Sequence, residues 1–109
     1  TSTMIHYPIQ FSTNARSENG INTIWSVDSN PYTMNCAIPP EFEGPGGALS
    51  PEDLYAQALT NCFIATFKVY AEKSKLNYEL LTANGSLTVD LDESKKPCMK
   101  KFNLAVTIQ

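Results

Sequence analysis

Histidine, arginine and tryptophan each occur once in this 109-residue chain, as His6, Arg16 and Trp25. A single histidine leaves little room for histidine-based chemistry. A Cys-His dyad would have to use His6, and no pattern around it supports that. There is no C-x-x-C pair and no H-x-x-x-H pair, and the soft or borderline ligands are scattered, so a bound metal is not expected. Clustered cations are also scarce. Lys95-Lys96 and Lys100-Lys101 are the only basic pairs, they flank Pro97-Cys98-Met99, and the net charge is -3. A phosphate backbone needs more than a solvated hairpin tip, so nucleic acid is excluded as a partner. No apolar run approaches bilayer length and no signal-peptide pattern opens the chain, so neither a membrane span nor export is expected. Three cysteines, at 36, 62 and 98, form no compact disulfide framework. A reducing, cytoplasmic location is the simpler expectation. Gly44-Pro45-Gly46-Gly47 is not followed by G-K-[ST], so it is no phosphate-binding P-loop.

What is present suits one small globular domain over residues 1–109, with 42% hydrophobic and 17% charged residues arguing against disorder. A domain of this size has a thin core, which makes an oligomeric partner attractive. Ile5, Tyr7, Ile9 and Phe11 share one parity and predict a half-buried strand over Met4 to Ser12, with Pro8 placing it at an edge. A polar stretch from Thr13 carries Arg16 and turns at Asn19-Gly20. Thr23, Trp25 and Val27 mark a second strand. Asp28-Ser29-Asn30-Pro31 is a turn. Tyr32, Met34, Cys36 and Ile38 mark a third strand, ended by Pro39-Pro40. The first forty residues thus read as an antiparallel meander.

The glycine loop lets the backbone turn into the strongest element, a helix from Pro51 to about Lys75. Ser50 suits the cap, Pro51 the first helical position, and Glu52 and Asp53 the positive end of the dipole. Leu54, Ala58, Cys62, Ala65 and Val69 predict its main buried face, widened by Leu59, Phe63, Phe67 and Tyr70. After the helix, apolar parity changes between Leu80 and Leu87. This predicts one long strand with a bulge at Asn84-Gly85. Asn84-Gly85-Ser86 matches a glycosylation acceptor but reads as a backbone feature. Asp92 to Pro97 is a turn, and Cys98 is expected on this lysine-flanked turn between strands. Phe102, Leu104, Val106 and Ile108 alternate to the end, a pattern expected to continue into a further part of the fold.

The candidate chemistry centres on Cys62. A cysteine on an apolar helix face is more often filling than reagent. A reactive thiolate needs a cation, and the helix dipole is about three turns away. Arg16 is the only guanidinium that could supply one. Glu52 reads as a first-turn carboxylate, and also as a group able to hold an arginine or accept a proton. Cys36 reads as structural, and Cys98 as incidental.

The runs Pro40-Glu41-Phe42-Glu43-Gly44-Pro45-Gly46-Gly47, Ser50-Pro51-Glu52-Asp53-Leu54 and Ala58-Leu59-Thr60-Asn61-Cys62-Phe63 resemble the OsmC/Ohr family of osmotically inducible and organic-hydroperoxide-resistance proteins. The spacing of Glu52 and Cys62 matches the family pattern. The resemblance is specific from Pro40 to about Lys75 and topological elsewhere. It implies an α+β fold in which an antiparallel meander precedes a long central helix and further antiparallel strands. It implies a thiol peroxidase that reduces organic hydroperoxides in oxidative-stress defence, with Cys62 as the attacking thiol, Arg16 stabilising it and Glu52 holding the arginine. Phe42, Tyr55, Phe63 and Phe67 are candidate pocket walls. It also implies an intertwined homodimer and no bound cofactor, with oxidised Cys62 regenerated by an external thiol, small dithiol or lipoylated protein. The family's resolving cysteine follows the last strands. Cys98 comes too early for that role, so the expectation is a C-terminal part missing from this sequence or another route of recycling. The alternative is a non-catalytic member that binds a small apolar ligand or a partner.

Overall fold

The computed structural model describes residues 4–109. The chain divides into two compact units, Thr1–Ser50 and Pro51–Gln109.

The first unit is built on a three-stranded antiparallel sheet of β1 (Asn14–Arg16), β2 (Trp25–Ser29) and β3 (Tyr32–Cys36), in that order. The register sets Arg16 opposite Ser26, and Ser26 opposite Asn35. The meander is there, but its first strand is displaced. Met4 to Ser12 forms no strand, and Arg16 lies in β1 rather than in a loop. Ile5, Tyr7, Ile9 and Phe11 are all exposed, so their alternation has no surface of this chain to bury against. Pro8 also lacks a ladder donor. Asn19-Gly20 turns as expected. The Thr23 amide donates to the Gly20 carbonyl at 3.2 Å, the Thr23 hydroxyl to the Asn19 carbonyl at 2.8 Å, and Gly20 takes a φ of 112°. Thr23, Trp25 and Val27 are half-buried, as their shared parity predicts. Tyr32 and Met34 are exposed, and only Cys36 in β3 is buried.

Past β3 the chain doubles back. Cys36 bridges Leu49 in parallel, and the Ala37 amide donates to the Leu49 carbonyl at 3.0 Å. Between them, Pro40–Phe42 forms a single 3-10 turn. Glu43 closes it in the left-handed region, its amide donating to the Pro40 carbonyl at 2.9 Å. The Gly44 amide then reaches the Pro39 carbonyl at 3.0 Å. Gly44 lies so close to Ile38 that a Cβ would run into the Ile38 backbone. The glycine loop is thus a tight return of the backbone, as its composition suggests.

The second unit is α1 (Pro51–Ser74) with the antiparallel hairpin β4 (Leu81–Leu91) and β5 (Pro97–Ile108). Lys75, left-handed at φ 56°, ends the helix. The Leu76 amide donates to the Ala71 carbonyl at 2.9 Å, and the Lys75 amide to the Glu72 carbonyl at 3.3 Å. This is a Schellman closure with lysine where glycine is usual. The helix seats most of the wider row and little of the expected one. Leu54, Leu59, Phe63 and Phe67 are half-buried and Ala71 is buried, whereas Ala58, Cys62, Ala65, Val69 and Tyr70 are exposed. Aromatic bulk decides this, because the phenylalanines remove far more area from water than alanine or cysteine. Phe67 lies 6.2 Å from Phe63 and meets Tyr78 edge-on at 5.3 Å, centroid to centroid. Gly85 makes room for the seat, since a Cβ there would strike the Thr60 hydroxyl and the Phe102 ring.

The bulge is not at Asn84-Gly85. Leu81, Ala83, Leu87 and Val89 keep one parity through that pair. The register shift falls between Thr88 and Val89, where Thr88 faces Lys101 and Val89 faces Met99. The apparent parity change came from Leu80, which precedes the strand. Asp92 organises the hairpin turn, its Oδ1 accepting from the Ser94 and Lys96 amides at 2.8 and 2.9 Å. Cys98 lies inside β5 opposite Asp90, not on the turn. We expect Gly85→Ala to destabilise the protein by about 1–3 kcal/mol through overpacking. A urea unfolding curve with an unshifted midpoint would refute this role for Gly85.

Candidate active site

Glu52 and Cys62 are carried by one helix, ten residues apart. At 1.5 Å per residue that is about 15 Å along the axis, and about 80° around it. The two side chains therefore cannot touch. Glu52 cannot take a proton from a group reacting at Cys62, and any cooperation needs a third group between them. The Cys62 thiol is exposed. Before it, the Asn61 amide nitrogen is engaged by the Gln57 carbonyl at 2.8 Å and the Gln57 Oε1 at 2.7 Å. Glu52 lies in the first helical turn and is half-buried. Its Oε1 is fully buried and has no hydrogen-bond partner among the described residues. A buried carboxylate oxygen without a donor is costly and calls for a cation or donor to complete it.

Arg16 belongs to the first unit. It lines an open recess with Ser17, Glu18, Thr23, Ile24, Trp25, Ser26 and Asn35. The β-ladder puts Arg16, Ser26 and Asn35 in one cross-strand row. The local sequence pattern, which puts Arg16 in a polar loop, does not reveal this row. Setting β1 against Ser26 would have revealed it. The guanidinium offers five donors, so it can bind two acceptors at once.

The remaining cysteines stand apart from this chemistry. Cys36 is 1% exposed, and burial pushes its thiol pKa up, which keeps it protonated and inert at neutral pH. Cys98 is half-buried, and all three thiols are free. His6 is exposed and outside any regular element. Among the described residues no group of three His, Cys, Asp or Glu side chains could hold a metal ion. No helix among them is long and apolar enough to cross a membrane. The wall residues anticipated from sequence divide. Phe63 and Phe67 pack inward with Tyr78, away from the exposed row that holds Cys62, while Phe42 and Tyr55 are exposed.

Residues 44–109 match the family model described as OsmC-like protein. This chain belongs to that family, the OsmC/Ohr proteins. Solved structures carry the same α+β fold. An OsmC-like protein of unknown function from Vibrio cholerae aligns over 94% of this chain and 75% of its own, with TM-score 0.82 and 14% identity. An organic hydroperoxide resistance protein from Legionella pneumophila aligns over 93% and 70%, with TM-score 0.63 and 24% identity. One from Elizabethkingia anophelis aligns over 94% and 70%, with TM-score 0.63 and 17% identity. No curated protein matches the sequence.

The contrast in burial makes the thiols separable. Timed alkylation at neutral pH, read by peptide mass spectrometry, should modify Cys62 well before Cys36. Cys36 labelling should rise only as pH climbs or the fold opens. Equal labelling of the two in the native protein would contradict the burial of Cys36.

Proposed function

We propose that this protein is a thiol-dependent peroxidase that reduces organic hydroperoxides through Cys62. The observation that carries the reading is the pairing on one helix of an accessible thiol with a buried carboxylate oxygen that lacks a donor. Family membership supports it, as do the fold neighbours described as organic hydroperoxide resistance proteins. In the proposed reaction the Cys62 thiolate attacks the peroxide oxygen. The S–O bond forms, the O–O bond breaks, and the leaving alkoxide takes a proton to become an alcohol. Cys62 is left as a sulfenic acid. An external thiol then attacks the sulfenic sulfur and releases water. A second thiol, as in a small dithiol or a lipoyl group, resolves the mixed disulfide and restores Cys62.

Arg16, the only guanidinium of the chain, is proposed as the cation that supports the thiolate, with Glu52 as its anchor. Glu52 and Cys62 lie too far apart to act on each other directly, so the proposed link between them runs through the guanidinium. A reducing cytoplasmic setting is part of the proposal, and the three free thiols are compatible with it.

A homodimer is the proposed assembly. Tyr55, Ala58, Cys62, Ala65 and Val69 are exposed at alternating three- and four-residue spacing, the pattern of a helix-packing seam, so the proposed dimer sets the Cys62 site at the subunit interface with an opening for substrate. The buried apolar side chains are Cys36, Ala37 and Ala71 among the described residues, so a partner would supply the missing interior.

The direct test is stopped-flow consumption of cumene hydroperoxide in the presence of a dithiol. Wild type should consume it, and Cys62→Ser should fall to the uncatalysed rate. Equal rates would leave the non-catalytic alternative standing. Arg16→Ala and Glu52→Gln should each slow consumption, Arg16→Ala on the order of a hundredfold if the guanidinium stabilises developing charge. For the assembly, Ala65→Glu should convert a dimer to a monomer in sedimentation velocity. A wild type that sediments as a monomer at micromolar concentration would end the dimer proposal.

A further inference from the structure

Nine asparagines occur in the chain, and two of them, Asn19 and Asn84, precede glycine. Glycine after asparagine removes the side chain that would hinder its amide nitrogen from reaching the asparagine side-chain carbon. The two pairs lie in opposite environments. Asn19-Gly20 is in the exposed loop between β1 and β2, and both residues are exposed. The loop is held through Thr23, whose amide and hydroxyl donate to the Gly20 and Asn19 carbonyls. Those bonds occupy carbonyl oxygens. Neither engages the Gly20 nitrogen or the Asn19 carboxamide.

Asn84-Gly85 sits within β4. Asn84 is paired with Ala105 and Gly85 with Leu104 in the ladder with β5. The space beside Gly85 is filled by Thr60 and Phe102. Ring closure needs the backbone between asparagine and glycine to rotate out of the extended conformation. In β4 that means breaking the ladder and unseating α1, so it requires local unfolding.

We propose that Asn19 is a site of spontaneous deamidation and that Asn84 is protected by the fold. The Gly20 nitrogen attacks the Asn19 side-chain carbon. A new C–N bond forms, the bond to the amide nitrogen breaks, and ammonia leaves. Water then opens the five-membered succinimide at either carbonyl, giving aspartate or isoaspartate. No redox partner is needed. Each product adds one negative charge to a chain of net charge -3. The new carboxylate falls on the loop that follows Arg16, in a groove lined by Ser17, Gly20, Ile21, Trp25 and Ile38. In the isoaspartate product the main chain runs through the former side-chain carbon. The carbonyl that accepts from the Thr23 hydroxyl is thereby displaced, and the turn loses one of its two ties.

The test is incubation of the full chain at mildly alkaline pH, followed by proteolysis and mass spectrometry. A parallel sample is kept unfolded in urea. In the native sample Asn19 should deamidate at least about tenfold faster than Asn84, since opening the ladder adds to the barrier and about 1.4 kcal/mol is already tenfold. In urea the two rates should converge. Asn19→Gln should remove the fast modification and leave the slow one at Asn84. Native rates at Asn84 equal to or above those at Asn19 would overturn the proposal. So would no modification of Asn19 in the native protein while both sites react in urea. None of these readouts depends on peroxidase activity.

Discussion

The packing of α1 onto β4 at Gly85 governs much of what the second unit can do. A helix with apolar residues around most of its circumference can seat more than one face. Phe63 and Phe67 choose the face: Phe67 meets Phe63 and, edge-on, Tyr78, while the bare backbone at Gly85 leaves room for Thr60 of the helix and for Phe102. Once that row is seated, the row through Ala58, Cys62 and Ala65 is turned outward. Exposure of the thiol is therefore a consequence of where the aromatics go. Cys62 takes no part in making the seat, so chemistry at its sulfur does not compete with the packing of the unit.

The second governing fact is the shortage of interior. Large apolar side chains such as Phe11, Tyr32, Tyr55 and Tyr70 lie exposed, and Cys36 is the largest fully buried side chain among the described residues. Water contact on that scale is unfavourable at roughly 25 cal/mol per Å² of apolar surface. The exposed alternation from Ile5 to Phe11 and the outer row of α1 are both arranged with regular spacing, as surfaces that pack are. The orphaned Glu52 oxygen is a polar counterpart, a buried acceptor with no donor among the described residues.

Much of this was legible in the sequence because it depends on short-range rules. Ser50-Pro51-Glu52-Asp53 placed the helix start correctly, and Asp92 with Pro97 bounded the hairpin turn. The α+β order followed from the change of hydrophobic period. Which face of α1 is buried was not legible. Periodicity locates apolar residues around a helix but does not weigh Phe67 against Val69. The strand expected over Met4 to Ser12 failed for a related reason, since alternation records a side chain's suitability for burial and not the presence of something to bury it. The bulge was misplaced because Leu80 precedes β4, so its parity belongs to the approach to the strand and not to the ladder. At the candidate site, Cys62 and Glu52 stood out through their spacing. The polar row beside Arg16 depends on cross-strand register, which no local pattern encodes.

The distribution of chromophores has a practical consequence. Trp25, the sole indole, lies in β2 of the first unit, and α1, the only α-helix among the described residues, lies wholly in the second. Tryptophan fluorescence, excited selectively over the tyrosines, thus reports on the meander and its loops. Helical ellipticity reports on the Cys62-bearing element alone. Unfolding followed by both signals separates the two halves of the chain without any label, and coincident transitions would show that they melt as one cooperative body.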